Sequence, residues 1–255
     1  MKIEKLIVAW QNPNNRNWLP IGILEKDGDF YVYRYINAVQ EAIKTGRFDF
    51  MFQFRDIHAV YQSSELFPIF KDKLFQKSRK DYQEYLEWLD IPYDNTDVFL
   101  ELGMGRGIKQ TDNIRLFPIP EKEEYFTLRF FLHGLKYVFL NNDKFTDEKI
   151  NLFPLLDPTN EYDTNSILLR TDDPIKILGY IPRIYTYEIK ALIDLVGISN
   201  IGWKLVKNNQ EAPDDYRFLV EIQSKWVNDF HPFQSQEYSP IENLNSLPTE
   251  RAVAV

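Results

Sequence analysis

The chain has 255 residues, 44% of them hydrophobic and 15% aromatic, with no cysteine and a formal net charge of −8. That length and apolar content suffice for one large or two small folded domains, and the missing thiols exclude disulfides, thiolate zinc sites and cysteine nucleophiles. Charge is uneven, with 16 Lys+Arg against 17 Asp+Glu in residues 1–120 and 14 against 21 in residues 121–255, so composition supplies no general basic field for a phosphate backbone. Glu4 and Lys5 interrupt the apolar run that a signal peptide needs, and no stretch approaches the ~18 apolar residues that span a bilayer. A cytoplasmic protein without membrane contact is expected.

In chain order, Leu6, Val8 and Trp10 alternate with Ile7 and Ala9 as a strand, and Asn12-Pro13-Asn14-Asn15 makes a turn. Leu19–Leu24 is a second strand, and Asp27-Gly28-Asp29 turns it into Phe30–Tyr35. Asn37 can cap a short helix, Ala38–Lys44, which Gly46 ends. Two apolar stretches follow, Phe48–Phe54 and Ser64–Phe70. A helix beginning at Ser78 or Asp81 places Tyr82, Tyr85, Leu86 and Leu89 on one face. Thr96–Leu102 reads as a short helix stopped by Gly103, and Asn113–Pro118 as a strand. Pro118–Glu124, charged and proline-bounded, is the linker candidate. Beyond it, Tyr125–Leu132, Asn151–Leu156, Ser166–Arg170, Ile177–Ile181, Trp203–Lys207 and Arg217–Gln223 read as strands. Thr186–Val196 is a helix with Ile189, Leu192, Ile193 and Val196 inward. From about Phe233 the chain turns polar, and a disordered tail is expected over 232–255, its Ala-Val-Ala-Val end without a strand partner.

Three segments of the carboxy half stand out together: Phe130-Phe131-Leu132-His133-Gly134-Leu135-Lys136-Tyr137, Pro158-Thr159-Asn160-Glu161-Tyr162-Asp163-Thr164-Asn165-Ser166-Ile167, and Leu178-Gly179-Tyr180-Ile181-Pro182-Arg183 with its following helix. In this order and spacing they resemble the HIRAN domain, over about residues 121–231. The resemblance implies an α+β protein of two β-rich domains, the carboxy-terminal one a small OB/SH3-like β-barrel with one or two helices. It also implies a module associated with helicases and DNA repair, able to hold the 3′ end of a single strand. On the matching positions Lys136 would take a phosphate and Tyr137 would stack on a base. Asn160, Tyr162 and Asp163 fall on the matching turn, where Tyr162 can stack and Asp163 can accept from a free sugar hydroxyl. Tyr180 would offer another platform, and Arg183 a second phosphate contact.

The same residues admit plainer roles. Asn160 and Asp163 sit where an Asx-turn wants them, and Tyr162 and Tyr180 can be half-buried with satisfied hydroxyls. Glu161 and Asp172-Asp173 add negative charge near the expected site.

The opening strands and Glu65-Leu66-Phe67-Pro68-Ile69-Phe70 resemble the small amino-terminal subdomain of HipA-type kinases. In that family it packs on the kinase body, and a stand-alone version acts as an antitoxin. Leu66–Ile91 is similar to the front portion of bacterial proteins that join such a segment to a HIRAN domain. No kinase catalytic loop follows, so phosphoryl transfer is not implied. Gly103-Met104-Gly105-Arg106-Gly107 lacks the Lys-Ser/Thr of a phosphate loop. His58, His133 and His231 lack metal-ligand spacing, and Asp214-Asp215 and Glu121–Glu124 read as solvated surface.

The expectation is therefore three parts: residues 1–120, 121–231 and a tail at 232–255. Their function would be non-catalytic binding of a single-stranded DNA 3′-OH end in bacterial repair or defence, without cofactor or metal. The alternative is an antitoxin-like regulator of a HipA-like kinase, and a kinase or helicase is the protein partner either reading suggests.

Overall fold

The computed structural model describes residues 3–105, 113–138, 150–241 and the backbone of 252–254. The chain divides into two compact units, one of residues 1–79, 96–121 and 232–255, the other of residues 80–95 and 122–231.

The first unit is built on strands β1 (Lys5–Gln11), β2 (Trp18–Asp27) and β3 (Phe30–Tyr35). Asp27 pairs with Phe30 across a two-residue turn in which Gly28 has φ 58°, the conformation a tight hairpin requires. Helix α1 (Val39–Lys44), strand β4 (Val60–Ser63) and helix α2 (Pro68–Lys71) follow. After α3 (Tyr82–Trp88), which belongs to the second unit, come α4 (Val98–Met104) and β5 (Ile114–Ile119). The sheet runs β4-β3-β2-β1-β5 with all neighbours antiparallel. Its core joins Leu6, Val8 and Trp10 to an aromatic cluster. Tyr33 lies 4.3 Å from the Phe54 ring, and the Tyr35 hydroxyl donates to the Phe54 carbonyl at 2.8 Å.

Gly103 does not stop α4. The helix continues to Met104, started by Asp97, whose carboxylate accepts from the Phe99 and Leu100 N–H groups. A Cβ at Gly103 would lie 2.8 Å from Pro118 Cγ and 2.9 Å from Leu6 Cδ2, so this glycine permits close approach to β5 and β1. Residues 106–112 of the glycine-rich stretch lie outside the described residues.

The segment expected as a disordered tail is partly fixed. Asn37 and Ala38 N–H groups donate to Ser239 and Glu237 carbonyls at 2.9 Å, and Asn37 Nδ2 donates to Gln236. These bonds satisfy donors at the start of α1 that have no partner inside the helix. The last strand, residues Ala252–Ala254, pairs in parallel with β4 on the edge of the sheet.

The second unit contains β6 (Tyr125–Phe131), α5 (Leu135–Val138), β7 (Leu152–Asp157), β8 (Ser166–Thr171), β9 (Ile177–Tyr180), α6 (Arg183–Val196), β10 (Gly202–Asn208) and β11 (Phe218–Lys225). Counted after β11, the Ala252–Ala254 strand is β12. The expected OB/SH3-like β-barrel is not closed by continuous ladders among the described residues. The strands make two three-stranded sheets, β10-β11-β6 and β7-β8-β9. Among the described residues the sheets meet at both edges through isolated bridges only, His133 with Tyr180 and Asn151 with Lys204.

Residues 80–95 were expected with the first 120 but cluster with this unit. The physical reason is the amphipathic face of α3: Tyr82, Tyr85, Leu86 and Leu89 are all buried, and the Tyr85 and Trp88 rings lie 6.1 and 6.0 Å from Tyr216. The helix closes with Ile91 N–H on the Leu86 carbonyl and Asp90 N–H on Glu87, a Schellman arrangement with Asp90 at φ 56°. Glycine would suit that backbone better. The aspartate carboxylate is used instead, ion-paired to Arg129 at 3.0 Å and Lys207 at 3.6 Å, while Arg129 also binds Glu221 at 2.6 Å. Tyr85→Ala should destabilise the second unit by about 3–5 kcal/mol, as for other large buried aromatics. Two-transition denaturation would locate the loss. A shift confined to the first unit's transition would contradict this placement of α3.

Candidate nucleic-acid interface

The seven residues singled out by sequence all fall in the second unit, on three segments that Tyr180 links. Tyr180 ends β9, where its N–H and carbonyl exchange hydrogen bonds with the His133 carbonyl and N–H at 2.9 and 2.8 Å. That pairing brings the Leu132–Val138 segment against β9. It requires Gly179, with φ 153°, because a Cβ there would lie 2.8 Å from the His133 carbonyl oxygen. Beyond the bridge, a Cβ on Gly134 would contact Tyr180 Cδ2 at 3.3 Å and Tyr137 Cδ2 at 3.9 Å, so both rings flank this turn. Lys136 and Tyr137 are exposed, the Tyr137 ring 78% so, with the Lys136 ammonium 4.8 Å from its centroid.

On its other side the Tyr180 hydroxyl reaches Asp157 Oδ2 at 3.3 Å. Asp157 ends β7 and opens the turn that carries Asn160, Tyr162 and Asp163. Its carboxylate also accepts from Asn160 Nδ2 at 3.2 Å and the Thr159 hydroxyl at 3.0 Å. The Asn160 bond foremost, helped by Thr159 and Tyr180, holds the Asp157 carboxyl below its ordinary value. Burial, then the Asp157 charge, pushes the Tyr180 phenol up.

Asn160 acts inside the turn, its Oδ1 accepting from Tyr162 and Asp163 N–H groups at 3.0 and 3.2 Å. This is the Asx geometry such residues favour, and it makes Asn160 a positioning residue for its two neighbours. Tyr162 is left 78% exposed, and its side chain makes no hydrogen bond or ring contact among the described residues. Asp163 is more enclosed: Oδ1 accepts from Asn165 N–H at 2.9 Å, and Oδ2 lies 3.1 Å from the Thr186 hydroxyl and 3.9 Å from Arg183 Nε. The Thr186 hydroxyl also reaches the Arg183 carbonyl at 2.8 Å. With one proton, it serves one acceptor at a time. When it turns to the carbonyl, Asp163 Oδ2 has a lone pair for an incoming hydroxyl.

Helix α6 begins at Arg183, three residues before the expected Thr186, following Pro182. The earlier start places Arg183, Thr186 and Lys190 on one face, at i, i+3 and i+7. That face is stitched to the turn through Asp163 and through Lys190 Nζ on Asn165 Oδ1 at 3.1 Å. Asp157, Thr186 and Lys190 were not anticipated. Helical spacing from Arg183 would have found the last two, whereas nothing local distinguishes Asp157. Tyr187, 65% exposed beside Arg183, is a further unanticipated aromatic.

The extra acids fall differently than expected. Glu161 is exposed in the turn, but Asp172 lies past Thr171, which pairs with Leu152 at the opposite end of the β7–β8 ladder from Asp157 and Ser166. There it accepts from Asn151 Nδ2 at 2.8 Å. Among the described residues no group of three or more His, Asp or Glu is arranged to hold a metal ion, and no helix is long and apolar enough to cross a membrane.

Exposed tyrosines, a hydrogen-bonded acidic turn and flanking cations therefore lie on segments that Tyr180 joins. Residues 125–226 match the HIRAN domain, so the chain carries a HIRAN domain in this unit. No curated protein and no solved structure matches the chain.

Two expectations follow. Because the Asp157 pKa is depressed by folding, its bonds persist above the ordinary carboxyl value of 3.8 and are lost as pH falls through the lowered one. Titration followed by NMR should show the Asn160 amide and Tyr180 ring moving only below that value, and the step should vanish in Asp157→Asn. Gly179→Ala should cost about 2–3 kcal/mol, from strained backbone and a contact that only backbone movement relieves. Urea unfolding would measure it.

Proposed function

We propose that the chain is a non-catalytic module that binds the 3′ end of single-stranded DNA through its HIRAN domain. HIRAN domains generally recognise such ends, and residues 125–226 match that family. The observation that carries the reading is the convergence on Tyr180 of the exposed Lys136–Tyr137 pair and the Asp157–Asp163 turn. Tyr137 and Tyr162 are the stacking surfaces, Lys136 and Arg183 the phosphate contacts, and Asp163 the acceptor for the terminal hydroxyl. A carboxylate accepts from a 3′-OH and repels a 3′-phosphate, which makes the site selective for a free end. Tyr180, Asp157 and Asn160 hold these groups in place.

The amino-terminal likeness to HipA-type kinases and the bacterial repair or defence setting belong to the same proposal, resting on sequence resemblance alone. The kinase-regulator alternative calls for an apolar docking patch on residues 66–89. Large apolar side chains described in that stretch are buried or half-buried, which favours the end-binding reading.

Fluorescence anisotropy of a short oligonucleotide ending in 3′-OH, compared with its 3′-phosphate counterpart, tests the proposal. The free end should bind more tightly. Tyr137→Ala and Tyr162→Ala should each lose about 1–3 kcal/mol, the worth of one stacked base, and Asp163→Asn should erase the preference between ends. Equal binding of both ends by the wild type would sink the reading.

A further inference from the structure

Four of the chain's Lys+Arg fall within residues 71–79, namely Lys71, Lys73, Lys77 and Arg79, with Asp72 the one acid among them. This positive stretch belongs to the first unit of a chain whose net charge is −8. A charge run by itself is a solvated face. Three features distinguish this one.

It is anchored. Lys73 is buried, with its ammonium donating to the Ile114 carbonyl at 3.0 Å, and the Phe75 N–H donates to Glu101 Oε1 at 3.2 Å, where Glu101 is itself buried. The segment is thus pinned to β5 and α4 at alternate residues, while Lys71, Asp72, Gln76, Lys77 and Arg79 are exposed. Lys71 and Lys77 are exposed, and among the described residues no acidic side chain pairs with either. Third, the Arg79 guanidinium lies 4.7 Å from the Phe75 ring centroid, beside a recess of about 370 Å³ that Lys71, Leu74 and Gln76 also line. Fixed cations next to a flat aromatic–guanidinium surface suit a polymer that alternates phosphates with rings.

We propose that Lys71–Arg79 is a second nucleic-acid contact, a sequence-independent cradle for the sugar-phosphate backbone of a strand. It rests on the reading that the chain binds DNA, and it adds a phosphate-tracking surface outside the HIRAN domain. An acidic peptide would use the cations but not the ring. A charged lipid surface would need protruding apolar side chains, and Leu74 and Phe75 are half-buried.

The test uses the full chain and labelled DNA strands of about six and about thirty nucleotides, the longer one ending in either 3′-OH or 3′-phosphate. The double substitution Lys71→Glu with Lys77→Glu changes only exposed side chains, and an unchanged melting curve verifies folding. It should weaken the long strand about tenfold and flatten its log–log salt dependence by about 1.4, the share of two phosphate contacts on a single strand. Short-strand affinity and the preference for a free 3′ end should not change, and Lys71→Arg with Lys77→Arg should restore long-strand binding. Undiminished long-strand affinity and salt slope in the charge-reversed variant would overturn the cradle while leaving end recognition standing. Tighter binding of phosphatidylserine vesicles or polyglutamate than of the long strand would overturn it too. Loss of the 3′-OH preference with the charge effect intact would instead defeat the end-binding reading alone, and no wild-type binding of either strand would defeat both.

Discussion

The reciprocal backbone hydrogen bonds between His133 and Tyr180 are the constraint on which the carboxy-terminal unit depends. They form one of only two isolated bridges that join its three-stranded sheets among the described residues, and they place the Lys136–Tyr137 turn beside β9. The approach is so close that a single methyl group at Gly179 would meet the opposing carbonyl. Strand pairing and the arrangement of the Asp157 turn therefore share one residue. Tyr180 closes the sheet junction with its main chain and steadies the Asp157 turn with its hydroxyl. A side chain held from both ends has little conformational freedom left to lose.

The acidic character of the chain looks different once the carboxylates are followed to their partners. Asp157 and Asp163 organise the turn, Asp90 and Glu221 hold Arg129, Asp97 caps α4, and Glu101 anchors a backbone amide. These acids act as internal acceptors whose charge is directed into the fold. Net charge describes long-range behaviour, whereas recognition of a strand depends on which charges remain available at the surface.

Sequence reading succeeded where local pattern and tertiary demand coincide. Strands β1 to β3 were legible because alternation and the Asp27-Gly28-Asp29 turn agree, and α3 because its apolar period is unbroken. It failed where meaning depends on a distant neighbour. Gly103 resembles a helix stop, but its lack of a side chain serves contact with Pro118 and Leu6. Strand β4 is too short to show a period, and the pairing of Ala252–Ala254 depends on a strand almost two hundred residues away. For the candidate site, the aromatic and charged residues were identified through resemblance. Their division into outward groups such as Tyr162 and positioning groups such as Asn160 was not, because it rests on hydrogen bonds within the turn. Whether a barrel closes was not legible for a related reason: strand spacing does not reveal whether neighbouring edges form a full ladder or a single bridge.

The placement of α3 has a consequence for how such a module can be inherited. The compact unit is interrupted in sequence, since residues 80–95 lie ahead of residues 122–231 with a piece of the other unit between them. Recombination at one breakpoint between residues 95 and 125 would transfer the matched segment without the helix that covers Tyr216 and without Asp90, the partner of Lys207. The recipient would acquire the strands and a bare aromatic surface, and would need a covering of its own.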